Sequence, residues 1–329
     1  MLPTPENPPP TNLSADSPLT SDTSIIDLNF LDVPEAVGLY LLEGNGELAL
    51  VDSGPSSCLP ALREFLAARG LTFADISALL LTHIHFDHAG ATGTLVKENP
   101  KLKVYVHELG ARHLKDPSRL LNSATRLYGD ALQRMFGEFL PVPQGNIHEL
   151  IGGESIRAAG REIEVAYTPG HASHHVSYFD QSTGAAFTGD TTGMRLPGYK
   201  IVAPLTPPPD IDLAAFTESL AEIERRKPTQ LLLPHFGVYN NLSEHLEATR
   251  EALYAWTERT WTIMKNNLEE SARIEKFTTQ AEEEFRAKLP NEEIIARYRA
   301  VAMPQLSWYG LERYWRKRIG AYQQTFSEA

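Results

Sequence analysis

The feature that most constrains this chain is a group of four potential metal ligands directly after an apolar run. Residues 76–81 are almost entirely apolar, which is typical of a strand buried on both faces. The next residues, 82–88, carry His83, His85, Asp87 and His88. Side chains two positions apart share a face of an extended segment, so His83 and His85 can point to one place. Imidazole and carboxylate groups bind zinc, iron and manganese, and the segment therefore predicts a metal site.

The alternative is a polar loop that contains histidines by chance. The chain has 11 histidines in 329 residues, so three of them within six positions are very improbable without a shared role. We therefore favour the metal site over the polar loop.

Three further ligand candidates each stand just past the end of an apolar segment that we predict to be a strand. They are His171, Asp190 and His235, which follow residues 163–166, 185–187 and 231–233. Loops at strand ends converge on one region in layered sheets. Any one of these residues alone is better explained as a turn or cap, but their recurrence favours a common site.

Asp52, in Asp52-Ser53-Gly54, also stands at the end of a predicted strand, which makes it the fifth such site after the 82–88 segment, His171, Asp190 and His235. One interpretation is an Asx turn or a cap for the next helix. We instead expect Asp52 to orient a ligand histidine through a hydrogen bond.

The pattern of the chain predicts three regions. Residues 1–22 hold six of the 23 prolines and are expected to be a disordered N-terminal tail. Residues 23–242 combine many short strands with intervening helices, which predicts an α+β fold of two packed sheets flanked by helices. Residues 243–329 are predicted to form a helical extension and hold all four tryptophans.

Three local predictions bear on the architecture. Gly44-Asn45-Gly46 is a hairpin signal between two strands. Residues 118–138 read as helical, with a stripe of Leu, Met and Phe. The Pro-rich residues 196–209 must form a loop, which we expect to flank the entrance of the site.

Composition limits the partners and the compartment. The net charge of −12 argues against a nucleic-acid partner, because phosphate binding uses clustered Lys and Arg. A single cysteine, Cys58, excludes an intramolecular disulfide and a Cys-rich zinc module. We see no secretory signal and no apolar run long enough to span a bilayer, so we expect a cytoplasmic protein without a membrane partner.

The motifs in their order resemble those of the metallo-β-lactamase superfamily, specifically its glyoxalase II-like hydrolases. The matching motifs are Asp52-Ser53-Gly54, His83-x-His85-x-Asp87-His88, Pro169-Gly170-His171, Gly189-Asp190 and Pro234-His235. The resemblance implies an αββα sandwich with the metals at one edge.

It also implies roles for individual residues. One metal would be held by His83, His85 and His171. A second would be held by Asp87, His88 and His235, and Asp190 would bridge the two. His175 matches a supporting histidine of the family, whereas His174 stands where the family often has glycine and receives no role.

The implied reaction is a hydrolysis. Two divalent ions about 3.5–4 Å apart, zinc in the first instance with iron or manganese as alternatives, would hold a hydroxide between them. This hydroxide would attack a small acyl substrate, namely a thioester, lactone or ester, with catalytic roles for Asp87 and Asp190. The alternatives are a phosphodiesterase or phosphotriesterase at the same site, and an iron-dependent oxidoreductase.

Two departures from the family's motifs narrow the choice among its subgroups. The bridging position is Asp190 rather than cysteine, which disfavours the antibiotic-hydrolysing members with a cysteine ligand. Lactonases of the superfamily have tyrosine three residues after the bridging aspartate, where this chain has Gly193. Tyr199 and Tyr239 are the alternative sources of a hydroxyl that we considered.

The aromatic and basic residues 304–318 allow two interpretations. They could form a lid that lines an acyl pocket, or a helix packed on the sandwich or on a second subunit. Aromatic residues at helical spacing usually lie in a core, so we favour packing. A homodimer through the C-terminal helices is one form that this packing could take.

Overall fold

The structure is a computed structural model, and it describes residues 22–327. Two sheets of six strands form its centre. The first contains, in spatial order, β1 (Thr23–Asp27), β2 (Gly38–Gly44), β3 (Glu47–Val51), β4 (Ile76–Leu80), β5 (Lys103–His107) and β6 (Ile147–Leu150). The second contains, in chain order, β7 (Ser155–Ala158), β8 (Arg161–Tyr167), β9 (Val176–Asp180), β10 (Ala185–Phe187), β11 (Gln230–Leu233) and β12 (Gly237–Tyr239).

Helices cover both outer faces of the sandwich. Those before the second sheet are α1 (Leu59–Ala67), α2 (Phe86–Ala89), α3 (Thr92–Glu98), α4 (Glu108–Lys115), α5 (Ser118–Tyr128) and α6 (Ala131–Phe136). Those after it begins are α7 (Leu213–Arg226), α8 (Leu242–Met264), α9 (Glu270–Lys288), α10 (Glu292–Ala302) and α11 (Pro304–Ser327). The predicted α+β fold, an αββα sandwich, is confirmed.

Burial on both faces explains the apolar run that ends in the first ligands. On β4, Leu80 belongs to the core between the two sheets, whereas Leu79 packs into the cluster under the outer helices. The same outer cluster contains Leu62 of α1 and Leu114 of α4. A strand that is covered on both sides needs apolar residues at every position rather than at alternate ones.

The predicted hairpin joins β2 to β3 through two residues. Gly44 pairs with Glu47, so Asn45 and Gly46 form the turn. Their φ angles are +52° and +74°, as a type I′ turn requires at both central positions. The turn therefore fixes the register of β3, the strand that directly precedes Asp52.

The stretch predicted to be helical over residues 118–138 forms two helices. The chain forms α5 and then α6, with a break at Gly129. Gly129 has φ +54°, which ends the first helix, and Gly137 with φ +71° follows the second.

The C-terminal aromatic residues lie in the core, as the packing interpretation predicted. Trp256 of α8 and Trp308 of α11 are 1% and 0% exposed and both pack on Phe277 of α9. They share a cluster with Leu232 and Val238 of the second sheet. The extension is thus continuous with the interior of the sandwich, although its boundary near residue 243 remains a prediction.

The predicted N-terminal tail, residues 1–22, lies outside the described residues apart from Asp22. Within residues 22–327, no helix combines the length and the apolar character that a bilayer crossing requires.

Candidate metal centre

Seven side chains that can bind metals converge at one edge of the sandwich. They form two adjacent groups, and within each group the ligand atoms lie within 4.8 Å of one another. The first group is His83, His85, His171 and Asp190, and the second is Asp87, His88 and His235. The structure therefore brings together all seven residues that the sequence singled out as ligands.

The path of the chain after β4 explains how one short motif serves both groups. His83 and His85 precede α2, and His85 has an extended backbone with φ −62° and ψ 156°. Asp87 and His88 lie inside the first turn of α2. The change from extended to helical backbone turns the second pair of side chains away from the first pair.

Hydrogen bonds leave one nitrogen of each histidine free to bind a cation. His171 Nδ1 donates to the Leu205 carbonyl at 2.8 Å, and His235 Nδ1 donates to the Ala36 carbonyl at 2.6 Å. A nitrogen that donates in this way carries the proton of a neutral imidazole, so Nε2 has the lone pair. Both Nε2 atoms point to Asp190.

His83 and His85 present different nitrogens to the same place. His83 Nδ1 lies 3.1 Å from the Thr82 hydroxyl, which leaves its Nε2 for the site. His85 instead turns Nδ1 inward, at 3.0 Å from His83 Nε2 and 2.9 Å from His171 Nε2. Three ring nitrogens facing one another at these distances are the arrangement expected around a bound cation.

Asp190 joins the two groups. Its Oδ2 lies 3.3 Å from His171 Nε2 and 3.8 Å from His83 Nε2, in the first group. Its Oδ1 lies 3.3 Å from His88 Nε2 and 3.4 Å from His235 Nε2, in the second. Oδ1 is buried and accepts no hydrogen bond from the described residues. A buried carboxylate oxygen in this state needs a cation, so the residues present fit a pair of divalent ions.

The charges of the site also suit cations. Burial holds the pKa of His83 well below its usual value and lowers the pKa of His85 to about 3, so both rings are neutral ligands near pH 7. Burial opposes protonation of His88 as well, but the carboxylates of Asp190, Asp87 and Asp52 outweigh it and raise the pKa of His88. The electrostatic potential is therefore more negative at the second group than at the first.

Asp52 and His175 hold ligands in place through hydrogen bonds. Asp52 Oδ1 accepts from the Thr82 backbone N–H at 2.8 Å, and Oδ2 accepts from His88 Nδ1 at 2.9 Å. His175 Nε2 accepts from the Asp190 backbone N–H at 3.1 Å. These contacts match the supporting roles expected for both residues.

His174, for which the sequence offered no role, borders the first group. Its ring lies 5.7 Å from that of His85 and 6.2 Å from that of His83. It is buried, and burial followed by the neighbouring histidines holds its pKa well below the usual value. A neutral ring at this place forms part of the wall of the adjoining cavity.

A cavity of about 330 Å³ opens onto both ligand groups. Its walls come from α4, α5, α6, the end of the Pro-rich loop and the junction of α10 with α11. Residues 205–210 border it, so the end of the predicted loop does line the approach to the site. Residues 301–303, Leu306 and Ser307 also border it, so the C-terminal region contributes to the cavity as well as to the core.

Sequence reasoning missed Tyr128 of α5, which lies in this wall. Burial and the Asp87 carboxylate raise its pKa, so the hydroxyl remains a hydrogen-bond donor. Neither tyrosine considered from the sequence takes this place, because Tyr239 donates to the Phe236 carbonyl inside the core and Tyr199 lies outside the cavity wall. The helical spacing of Leu120, Leu127 and Tyr128 was the available signal, since it places them on one face.

Comparisons with known proteins agree with this geometry. Residues 34–235 match the family model described as the metallo-beta-lactamase superfamily. The metallo-beta-lactamase fold-containing protein ST1585 of Sulfurisphaera tokodaii is 30% identical over 223 residues, which cover 66% of this chain and 80% of that protein. A hydroxyacylglutathione hydrolase of Legionella pneumophila is 30% identical over 146 residues, but these cover only 44% of this chain and 43% of that enzyme.

Solved structures show the same fold. The crystal structure of ST1585 superposes with a TM-score of 0.61 at 22% identity and covers 88% of this chain and 97% of that one. A metallo-beta-lactamase family protein of Thermus thermophilus gives a TM-score of 0.63 at 24% identity and covers 86% of this chain and 89% of that one. At these identities the likeness concerns the fold alone.

Proposed function

The chain belongs to the metallo-beta-lactamase superfamily, and from this premise we propose that it is a dinuclear metallohydrolase that cleaves a small acyl substrate, in the first place a thioester. The observation that carries the proposal is the position of Asp190, whose two oxygens face two separate sets of imidazole nitrogens. One carboxylate with this placement is suited to bridge two cations.

Two divalent ions would supply Lewis acidity, which lowers the pKa of a bound water and stabilises negative charge on the substrate oxygen. We propose zinc for both ions, with iron or manganese as alternatives. His83, His85 and His171 would hold one ion, and Asp87, His88 and His235 the other. Asp190 would contribute one oxygen to each.

The protein residues divide the remaining work. Asp87 and Asp190 both line the cavity, but the side chain of Asp87 is 28% exposed and that of Asp190 only 6%, so Asp87 is the more accessible carboxylate. The Asp87 carboxylate would accept one proton of the attacking water. The Tyr128 hydroxyl, protonated because its pKa is raised, would donate to the substrate carbonyl oxygen. The water oxygen would form the new C–O bond, the C–S bond would break, and the proton held by Asp87 would pass to the leaving sulfur.

A thioester is favoured over the lactone and ester alternatives on two grounds. A matched relative is a hydroxyacylglutathione hydrolase, an enzyme whose name describes acyl transfer to water from a thiol carrier. The cavity next to the ligands also has an apolar portion that can accept an acyl chain.

The test combines metal analysis with a substrate screen. Metal per chain is measured by elemental analysis on the native protein, on Asp190→Asn, and on Asp130→Asn, which alters an exposed aspartate outside the cavity wall. Each protein is assayed on thioesters, lactones and phosphodiesters. We expect about two ions per chain and thioester cleavage in the native protein and in Asp130→Asn. In Asp190→Asn we expect the metal and the activity to be lost together. Redox-active iron at one ion per chain, without cleavage of any ester, would overturn the proposal.

A further inference from the structure

The wall of the cavity has two chemically different parts. Leu120 of α5 and Val301 of α10 pack on the same apolar cluster, and together with Leu127 and Leu306 they make one part of the lining apolar. The other part carries the guanidinium groups of Arg112 on α4 and Arg119 on α5, with His113 beside them. A cavity of this composition suits a ligand that is apolar at one end and anionic at the other.

The two arginines lack a directly paired carboxylate among the described residues. Within residues 22–327, neither Arg112 nor Arg119 forms an ion pair with a carboxylate; Arg112 Nε instead lies 3.2 Å from His113 Nε2. Two acids lie nearby but form no ion pair with either arginine: Asp210 accepts from the Ser173 hydroxyl at 2.8 Å, and Asp116 accepts from the Ser118 N–H at 3.1 Å. This contrasts with Arg226 and Arg161, which pair with carboxylates at 2.6–2.9 Å.

The cationic part of the wall borders the first ligand group. Arg112, His113 and Arg119 line the same cavity as His85 and His171. His174, whose ring lies 5.7 Å from that of His85, lines this cavity as well.

Helix packing fixes this part of the wall. Gly110 of α4 approaches the ligand loop so closely that a Cβ there would lie 2.9 Å from Ile84 Cγ2 and 3.4 Å from His174 Cβ. Arg112 and His113 follow two and three positions later on the same helix. Their distance from the ligands is therefore set by a tight backbone contact rather than by a loop.

We propose that the substrate is an acyl thioester with an apolar acyl group and a negatively charged leaving group, and that Arg112 and Arg119 bind the negative charge. The inference rests on the proposed function. With the acyl chain in the apolar part and the scissile carbonyl at the ligands, the leaving group must extend toward the remaining, cationic part of the wall. The protein has a net charge of −12, so an anion needs such a local site to approach.

The experiment compares two thioesters that share an acyl group and differ in the charge of the thiol. They are S-hexanoyl-3-mercaptopropanesulfonate, which is anionic, and S-hexanoyl-N-acetylcysteamine, which is neutral. The measured quantity is the ratio of kcat/KM for the anionic substrate to that for the neutral one. The proteins are the native holoenzyme, Arg112→Gln/Arg119→Gln, and Arg126→Gln, an exposed arginine of α5 outside the cavity wall.

We expect a ratio of about ten or more in the native enzyme, since a charge-assisted hydrogen bond contributes on the order of 1.5–3 kcal/mol. The ratio should approach one in the double variant, chiefly through KM, and should be unchanged in Arg126→Gln. It should also fall as sodium chloride is raised.

A native ratio near one with both thioesters hydrolysed would overturn the inference and leave the proposed function standing. A ratio that persists in the double variant, or that is lost equally in Arg126→Gln, would overturn it as well. If the enzyme with two metals hydrolyses neither thioester, the proposed function fails and the inference fails with it.

Discussion

Asp52 lies 2.9 Å from His88, with Oδ2 of the carboxylate accepting the Nδ1 proton, and this contact fixes which nitrogen His88 presents to the site. The other oxygen of Asp52 binds the Thr82 N–H, so one buried acid spans the ends of β3 and β4. Asp52 has φ +63°, a conformation that asparagine tolerates well.

Asp52→Asn should therefore fold and still weaken metal binding. The amide keeps an acceptor for Thr82 but no longer supports His88 with a negative charge, and loss of such a partner lowers metal affinity by about 10–100-fold. Competition with a chelator for the bound ions measures the change. Asp130→Asn is the control, and equal affinities in both variants would contradict the assigned role.

Tyr128→Phe should reduce turnover without emptying the metal site. The hydroxyl lies in the cavity wall near Asp87 and is expected to donate to the substrate carbonyl as negative charge develops. Removal of one such donor costs on the order of 1.5–3 kcal/mol, or roughly 10–100-fold in kcat. Steady-state kinetics with metal analysis make the test. An unchanged kcat would show that Tyr128 only fills space.

His245→Gln should make the protein less sensitive to acid. Burial lowers the pKa of His245 to about 4, and its Nε2 donates to the Thr192 carbonyl at 2.9 Å. At His245, the unfolded chain thus binds more protons than the folded one between about pH 6.5 and pH 4. The contribution of this residue to the free energy of unfolding is therefore fully present above that window and falls as the pH drops through it.

This single histidine should account for about 3 kcal/mol of the stability lost between pH 7 and pH 4, at 1.36 kcal/mol per pKa unit. Glutamine retains the donor to Thr192 but does not titrate. Urea unfolding at both pH values compares His245→Gln with the native protein and with His148→Gln, an exposed histidine. Identical pH slopes in the native protein and His245→Gln would contradict the prediction.

Gly310→Ala should damage the metal site from a distance. A Cβ on Gly310 of α11 would lie 2.0 Å from the Thr206 carbonyl oxygen and 2.9 Å from the Pro207 carbonyl carbon, so the loop must move. The preceding residue, Leu205, accepts the His171 Nδ1 proton.

We expect Gly310→Ala to lower the free energy of unfolding by about 1–3 kcal/mol, as overpacking does, and to weaken metal binding. Gly145→Ala, where an added Cβ meets nothing within 4 Å, serves as the control in thermal unfolding and chelator competition. A variant that is destabilised but binds metal normally would show that the loop moves without disturbing His171.

The convergence of the candidate ligands could be predicted from the sequence because each one follows a strand, and strand ends define positions that local patterns reveal. Asp190 and His235 come directly after β10 and β11, which pair in parallel and so end at the same edge. The hairpin at Asn45 was equally predictable, since its turn type depends on two adjacent residues.

The cavity wall could not be predicted in the same way. The stripe containing Leu127 and Tyr128 revealed one face of a helix but not what that face covers, which depends on the break at Gly129 and on the packing of α10 and α11. Arg112 and Arg119 carried no local signal either. Their significance comes from the lack of a partner carboxylate among the described residues, a property of the folded chain alone.

The junction of α10 and α11 has a consequence for how such a protein can diversify. The ligands come from strand-end loops before residue 236, whereas Val301 and Leu306 belong to helices near the end of the chain. Part of the cavity wall is thus encoded in a stretch of sequence that contains none of the candidate ligands. Mutations in that later stretch can change the shape of the cavity while the candidate metal-binding residues stay the same.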